Sequence, residues 1–179
     1  MKKIFTLVVM AVMAVAASAQ LYVGGEVSAW RNDGNHTTTA SILPEIGYNL
    51  DEQWAVGTTI GWQHAHQSGI NNNLVVFHPY ARYTFFKSGI VSIFCDGTAG
   101  FGAGKTSWDG GHSDTAWTWQ IGFRPGVAFK CSDRFSVVAH FGFLGYDGAN
   151  DAAKEAGYAD EWGLRFSGND LSLGFYVNF

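Results

Sequence analysis

The sequence predicts an all-β fold, an eight-stranded antiparallel up-and-down transmembrane β-barrel preceded by a cleavable signal peptide. Three observations carry that reading. First, apolar residues alternate with small or polar ones along most of the chain, the period-2 signature of strands with one greasy face. The last nine residues show it most plainly: Leu171, Leu173, Phe175, Val177 and Phe179 fall on one face, and Ser172, Gly174, Tyr176 and Asn178 on the other. Second, charged residues are only 15% of the chain while aromatics reach 16%, against roughly a quarter charged in soluble domains. Third, the connections between the alternating stretches are short and long by turns, the pattern of a meander with both ends on its short-turn side.

The amino terminus reads as a leader. Lys2 and Lys3 precede an apolar run over 4–17, and Ala17-Ser18-Ala19 supplies small residues for cleavage after Ala19. The expected division is therefore 1–19 signal peptide and 20–179 barrel domain. Elsewhere no run approaches the ~18 apolar residues of a spanning helix, so strands must do any crossing. Acidic residues number 15 against 11 basic, two of the latter in the leader. That balance excludes nucleic acid as a partner, which calls for a basic stripe.

Strand one is expected over 21–30, followed by a polar loop over 31–38. Strand two covers 39–50 and turns at 51–53 into strand three, 54–64. After the loop at 67–73, strand four covers 74–86, and 87–89 turns it into strand five, 90–103. A long polar loop, 105–115, leads to strand six, 116–130, and 131–133 turns into strand seven, 134–146. The longest connection, 147–170, holds a helix-friendly AAKEA patch and a second alternation, Trp162, Leu164 and Phe166. Its parity is opposite to that of the final stretch. A bulge near 167–169 would reconcile the two, and strand eight begins either at Trp162 or at Asn169. Pro44, Pro79 and Pro125 each lie four residues before an aromatic (Tyr48, Tyr83, Phe129). Proline removes a ladder donor and a closed barrel has no edge to place it on, so bulges are expected there.

The apolar face could point inward, as in a soluble ligand-holding barrel. The other face would then meet water and be rich in Lys and Glu. It is instead mostly Gly, Ser, Thr, Asn and Gln with a few charges, which suits a crowded bore. The apolar face also carries aromatics at two levels, Trp54, Tyr83, Phe85, Phe129 and Phe135 near the short turns and Trp62, Trp117 and Trp119 near the loops. Two such girdles mark the two membrane interfaces. Eight strands leave room inside only for side chains. Glu26, Glu45 and Asp96 are therefore expected to pair inside with Arg82 and Arg124, with His78 and His140 hydrogen-bonded among them.

The segments LPEIGYNL, HPYARYTFF and RPGVAFK, with the terminal LSLGFYVNF, resemble the small outer-membrane β-barrels of OmpA/OmpX type. The resemblance covers nearly the whole mature chain. It implies a Gram-negative-type outer membrane as location, with outer-membrane lipid and lipopolysaccharide as surroundings. It also implies that Leu171, Leu173, Phe175, Val177 and Phe179 form the insertion signal read by the barrel-insertion machinery. The role expected from the filled bore and the polar loops, rather than from the resemblance, is structural or surface-interacting, through loops 31–38, 67–73, 105–115 and 147–170, with a plugged interior. A small pore is the alternative.

Chemistry is faint by comparison. His64, His66 and Ser68 resemble part of the triad of lipid A deacylases, but no acid is placed to orient either imidazole. His36, His64, His66 and His112 lie at the loop end with spacings that match no metal motif. The expectation is no catalytic residue, no metal and no cofactor. Cys95 on a strand and Cys131 in a turn are expected to lie too far apart to bridge.

Overall fold

The computed structural model describes residues 20–33, 37–67, 70–108, 111–112, 114–155, 157–166 and 171–179. The leader over 1–19 lies outside the described residues, as do His36 and Ser68.

The strand segments are β1 (Leu21–Asn32), β2 (Thr37–Asn49), β3 (Trp54–Gln67), β4 (Ile70–Ser88), β5 (Val91–Trp108), β6 (Gly111–His112), β7 (Ala116–Lys130), β8 (Phe135–His140), β9 (Phe143–Ala149), β10 (Glu161–Arg165) and β11 (Ser172–Asn178). They make eight barrel strands. β8 and β9 are the two halves of the seventh, since β7 pairs first with one and then with the other. β11 is the lower half of the eighth; it pairs with β8 on one side and with β1 on the other, which closes the barrel. β10 pairs with β9 above it. All pairings are antiparallel, and the turns at 50–53, 89–90 and 131–134 lie at the end that also holds Gln20 and Phe179.

The strands outrun their expected ends on the loop side. β3 and β4 stay paired as far as Gln67↔Ile70, so most of the stretch 67–73 is hairpin rather than loop. Likewise β5 continues to Trp108, and β6 folds back on it within 105–115. Polar side chains gave no strand signal here, because a ribbon clear of the membrane has no lipid face to alternate. The AAKEA patch forms α1 (Asp151–Glu155).

The prolines correct one expectation. Pro44 and Pro79 cause no register shift. The ladder lapses for two residues on one edge, between Ile42↔Trp62 and Glu45↔Thr59 and between Phe77↔Phe101 and Tyr80↔Thr98. On the other edge it is continuous through Gly25↔Pro44 and Thr58↔Pro79. A proline lacks its donor on one side only, so a single neighbour loses a hydrogen bond and no residue need be inserted. Pro125 is different. Between Gly126↔His140 and Phe123↔Leu144, two residues of β7 face three of the seventh strand, which splits it into β8 and β9. Gly142 takes φ +80° at that break, and a Cβ there would lie 2.6 Å from the Arg165 carbonyl oxygen. A further shift falls between Thr84 and Phe86, away from any proline.

Trp162, Leu164 and Phe166 are exposed, and so are Leu171, Leu173 and Phe175. Both parities of the eighth strand therefore face outward, one up to Phe166 and the other from Leu171; the expected bulge near 167–169 lies outside the described residues. The outward face is apolar on every strand: Val27, Ile42, Ile60, Phe77, Phe101, Ile121 and Phe123 are each more than two-fifths exposed. Inside, by contrast, are Glu26, Glu45, Arg82, Asp96 and His140, all nine-tenths buried or more. This is the inverse of a soluble barrel and the distribution that a lipid solvent demands.

Candidate functional site: the charged core of the barrel

Inward parity brings one polar side chain from nearly every strand to the same level of the bore. Arg82 of β4 and Asp96 of β5 are directly cross-strand, and their pairing is bidentate, with Nε to Oδ1 and Nη2 to Oδ2 both at 2.7 Å. Arg82 Nη2 also donates to the Tyr176 hydroxyl at 2.9 Å and lies 3.7 Å from Glu45 Oε1. Tyr80 donates to the same Glu45 oxygen and meets the Tyr22 hydroxyl at 2.5 Å. The guanidinium lies 3.9 Å from the centroid of the Phe94 ring, a cation–π contact shielded from water.

His140 joins two carboxylates. Its Nε2 is hydrogen-bonded to Asp96 Oδ2 at 2.9 Å, and its Nδ1 lies in ionic contact with Glu26 Oε1 at 2.6 Å, so an imidazolium there faces both carboxylates. Glu26 in turn lies 3.5 Å from Arg124 Nη2, and the same nitrogen is 3.4 Å from Ser172 Oγ. The result is one connected layer from Arg124 through Glu26, His140, Asp96, Arg82 and Glu45 to Tyr80 and Tyr22. With His140 as imidazolium, three carboxylates face three cations. A buried charge survives only with partners of this kind, because desolvation costs several kcal/mol per ion.

Of the residues the sequence nominated for this interior, Glu26, Glu45, Arg82, Asp96, Arg124 and His140 come together. His78 does not. It lines the cavity above the layer, where a Cβ on Gly100 would come within 2.7 Å of its Cδ2, and no hydrogen bond links it to the layer among the described contacts. Sequence reasoning missed Tyr22, Tyr80 and Tyr176, which with Phe94 and Val138 fill the bore around Arg82. Their signal was parity: each aromatic falls on the small-residue face of its strand.

Above and below the layer lie cavities. The lower is about 560 Å³, lined by Trp54, Lys87, Lys130 and Asn178 among others. The upper pair, of about 350 and 310 Å³, share Gln63, His78, Gln120 and Arg165. The connection over 150–160 turns inward over them. Asn150 accepts from the Ala153 and Trp117 amides at 3.0 and 2.9 Å, which caps α1 and ties it to β7. Ala153 is fully buried against Ala116 and Ala149. Tyr158 then reaches across the mouth to accept from Asn72 Nδ2 of β4 at 3.1 Å.

The remaining candidates lie outside this core. Trp54, Trp62, Tyr83, Phe85, Trp117, Trp119, Phe129 and Phe135 are all exposed on the outer face. His64 and His66 are on the outer face too, each held through Nδ1 by a cross-strand amide, Asn73 at 3.0 Å and Asn71 at 2.9 Å. The His112 side chain lies outside the described residues. Among the described residues, no group of three or more His, Cys, Asp and Glu side chains is placed to hold a metal ion. Cys95 and Cys131 are both free.

A closed barrel of eight strands, apolar without and charged within, defines a small transmembrane β-barrel protein. The chain belongs to the outer membrane protein beta-barrel domain family, which matches residues 4–179. Its fold is similar to the N-terminal β-barrel domain of Pseudomonas aeruginosa OprF, with a TM-score of 0.54 and 14% identity over 90% of this chain and 98% of that one. It is also similar to Neisserial surface protein A, with a TM-score of 0.56 and 16% identity, again over 90% and 98%. No curated protein matches it in sequence.

Proposed function

We propose that this chain is a sealed outer-membrane barrel whose role is structural and surface-interacting, without catalysis. The observation that carries the reading is the layer at Arg82, where ion pairs, three tyrosines and Phe94 fill the bore between the upper and lower cavities. A solute crossing the bore must break buried ion pairs, each costing several kcal/mol. The outer connections then offer the contact surface, and the C-terminal strand, with its outward Leu173, Phe175 and Phe179, is the segment presented to the insertion machinery. The test is planar-bilayer conductance of the purified chain. A flat trace is expected at voltages that leave the membrane intact; steady discrete openings would overturn the sealed reading.

A small pore is the second reading, supported by the cavities on both sides of the layer. It predicts those openings, with a unit conductance raised by Arg82→Ala. The deacylase-like reading of His64 and His66 is weaker, because asparagine amides rather than a carboxylate hold both imidazoles.

A further inference from the structure

Above the Arg82 layer the bore empties. On β5 the inward positions run from Phe94 and Asp96, both buried in the layer, through Thr98 to Gly100 and Gly102 on a cavity wall. Neither glycine takes a positive φ, so each serves room rather than backbone conformation. A Cβ on Gly100 would lie 2.4 Å from Gln120 Cγ and 2.7 Å from His78 Cδ2, and one on Gly102 would lie 2.4 Å from Thr118 Oγ1. Level with Gly104, the residues Ser28, Ser41 and Gln63 stand side by side on β1, β2 and β3. The space left is the pair of cavities of about 350 and 310 Å³ that share Gln63, His78 and Gln120, with a recess of about 200 Å³ that continues from Gln63 to Tyr158 under the roof. Side chains fill the same bore one level below, so residue choice, not barrel width, makes this chamber.

The walls are polar, and their neutral groups are uncommitted. Among the described contacts, no hydrogen bond reaches the side chains of Gln63, His78 or Gln120. The charged groups at the chamber's edges are committed, Arg165 to Asp147 at 2.8 Å and Arg124 to Glu26 at 3.5 Å. An anion would have to displace one of those carboxylates, and a cation would meet a guanidinium at either end. An acyl chain would leave two amides and an imidazole without partners, the costly outcome for buried polar groups. A primary amide both donates and accepts, and so does each hydroxyl of a sugar. The geometry points to the chamber as a binding site for a neutral saccharide of one or two rings, since each cavity lies near the ~300 Å³ lower limit of small-molecule sites. Gln63 and Gln120 hydrogen-bond its hydroxyls, His78 holds a further one at the wall, and the roof at Tyr158 closes over it. Entry is from the loop side, where the hydrogen bond from Asn72 Nδ2 to the Tyr158 hydroxyl, at 3.1 Å, ties the roof to β4. The layer at Arg82 is the chamber's floor, though binding needs no seal beneath it.

Saturation-transfer NMR on the full chain in phosphocholine nanodiscs, which carry no sugar headgroup, tests the assignment. The probes are maltose, trehalose and sucrose, with glucuronate as the charged counterpart. The wild type is expected to transfer saturation to at least one neutral sugar and not to glucuronate. Gln120→Leu and Gln63→Leu, screened for fold by heat-modifiable migration, should each weaken that sugar about fivefold, the loss of one hydrogen-bonding group from the site. Lys87→Gln, on the wall of the lower cavity, should leave it unchanged. No transfer to any of the three sugars overturns the proposal, because the chamber then holds water only. Equal affinity in the wild type and both glutamine variants overturns it by placing the sugar elsewhere, and stronger transfer to glucuronate overturns it in favour of an anion. One readout needs no variant: the His78 ring signals of the wild type should move on adding the sugar, and signals that stay still sink the site whether or not the leucine variants fold. Steady channel openings together with sugar binding would sink the sealed reading alone, whereas a flat trace without binding sinks this inference alone.

Discussion

Arg82 is where the barrel concentrates its electrostatic risk. Its side chain is 8% exposed and bonded to Asp96, Tyr176 and, more distantly, Glu45. Arg82→Met removes the cation and leaves two buried carboxylates facing each other's field. Losing one member of a buried pair costs about 3–5 kcal/mol, so the variant is expected to unfold at markedly lower urea in lipid vesicles. Arg124→Gln should cost less, because its side chain is 24% exposed and its carboxylate partner keeps His140. Unchanged midpoints for both would discredit the layer as a stabilising unit. At the short turn after β2, Asp51 accepts the Gln53 and Trp54 amides, both at 2.7 Å. Those two donors hold its carboxyl below the usual 3.8. A depressed folded value means a contribution that is whole above the unfolded value and is lost as pH falls through the folded one. Asp51→Ala should therefore lower stability at pH 7, and the gap from wild type should narrow as the pH is lowered past the usual 3.8, as read by urea midpoints along that series.

At the scale of elements, the roof over the upper cavity is the segment that needs the whole fold to exist. α1 is five residues long, too short to hold by itself. What fixes it is the Asn150 cap, the burial of Ala153 against Ala116 and the reach of Tyr158 to Asn72. Ala153→Glu puts a charge into a fully buried alanine site and should release the segment while the membrane strands remain paired. Limited proteolysis near Lys154 and Glu155 is the measure: cleavage should speed up severalfold in Ala153→Glu with no change in heat-modifiable migration. The sequence announced the short helix through its AAKEA patch but not the inward turn. Tyr158 and Asn72 are 86 residues apart, and no local pattern joins them. The strands were legible because lipid outside and a narrow bore inside impose opposite chemistry on alternate residues. The same rule exposed Glu26, Glu45, Arg82 and Asp96 as inward. It put Tyr22, Tyr80 and Tyr176 on the inward face as well, but not against Arg82, since Arg82 and Tyr176 are 94 residues apart. Beyond the membrane, at 67–73 and 105–115, the alternation ceases and the paired strands there went unread. Pro44 and Pro79 misled for another reason: a missing donor affects one edge of a strand, while a bulge alters both.

The molecule as a whole is held together by where its apolar surface ends. From Trp54 to Trp62 on β3, Thr58 apart, and from Trp117 to Phe129 on β7, outward residues are apolar or aromatic. At about 3.3 Å per residue and a tilt near 40°, these stretches cover roughly 20–30 Å along the barrel axis, which brackets the ~25 Å band of outer-membrane barrels. Aromatic rings close the band at both ends, with the Trp54 ring 4.8 Å from that of Tyr83 at the turn side and Trp62, Trp117 and Trp119 exposed at the other. This geometry fixes a depth for each tryptophan. Brominated acyl chains should quench more weakly when bromine sits at the bilayer centre than when it sits near the headgroups, because Trp54, Trp62, Trp117 and Trp119 all lie toward the interfaces. Replacing Trp54 should reduce only the contribution from the turn-side leaflet, and replacing Trp117 with Trp119 only that from the opposite leaflet. Quenching that is strongest from the bilayer centre would mean the band is misplaced. The outward charge-free face and the girdles would then both lose their common frame.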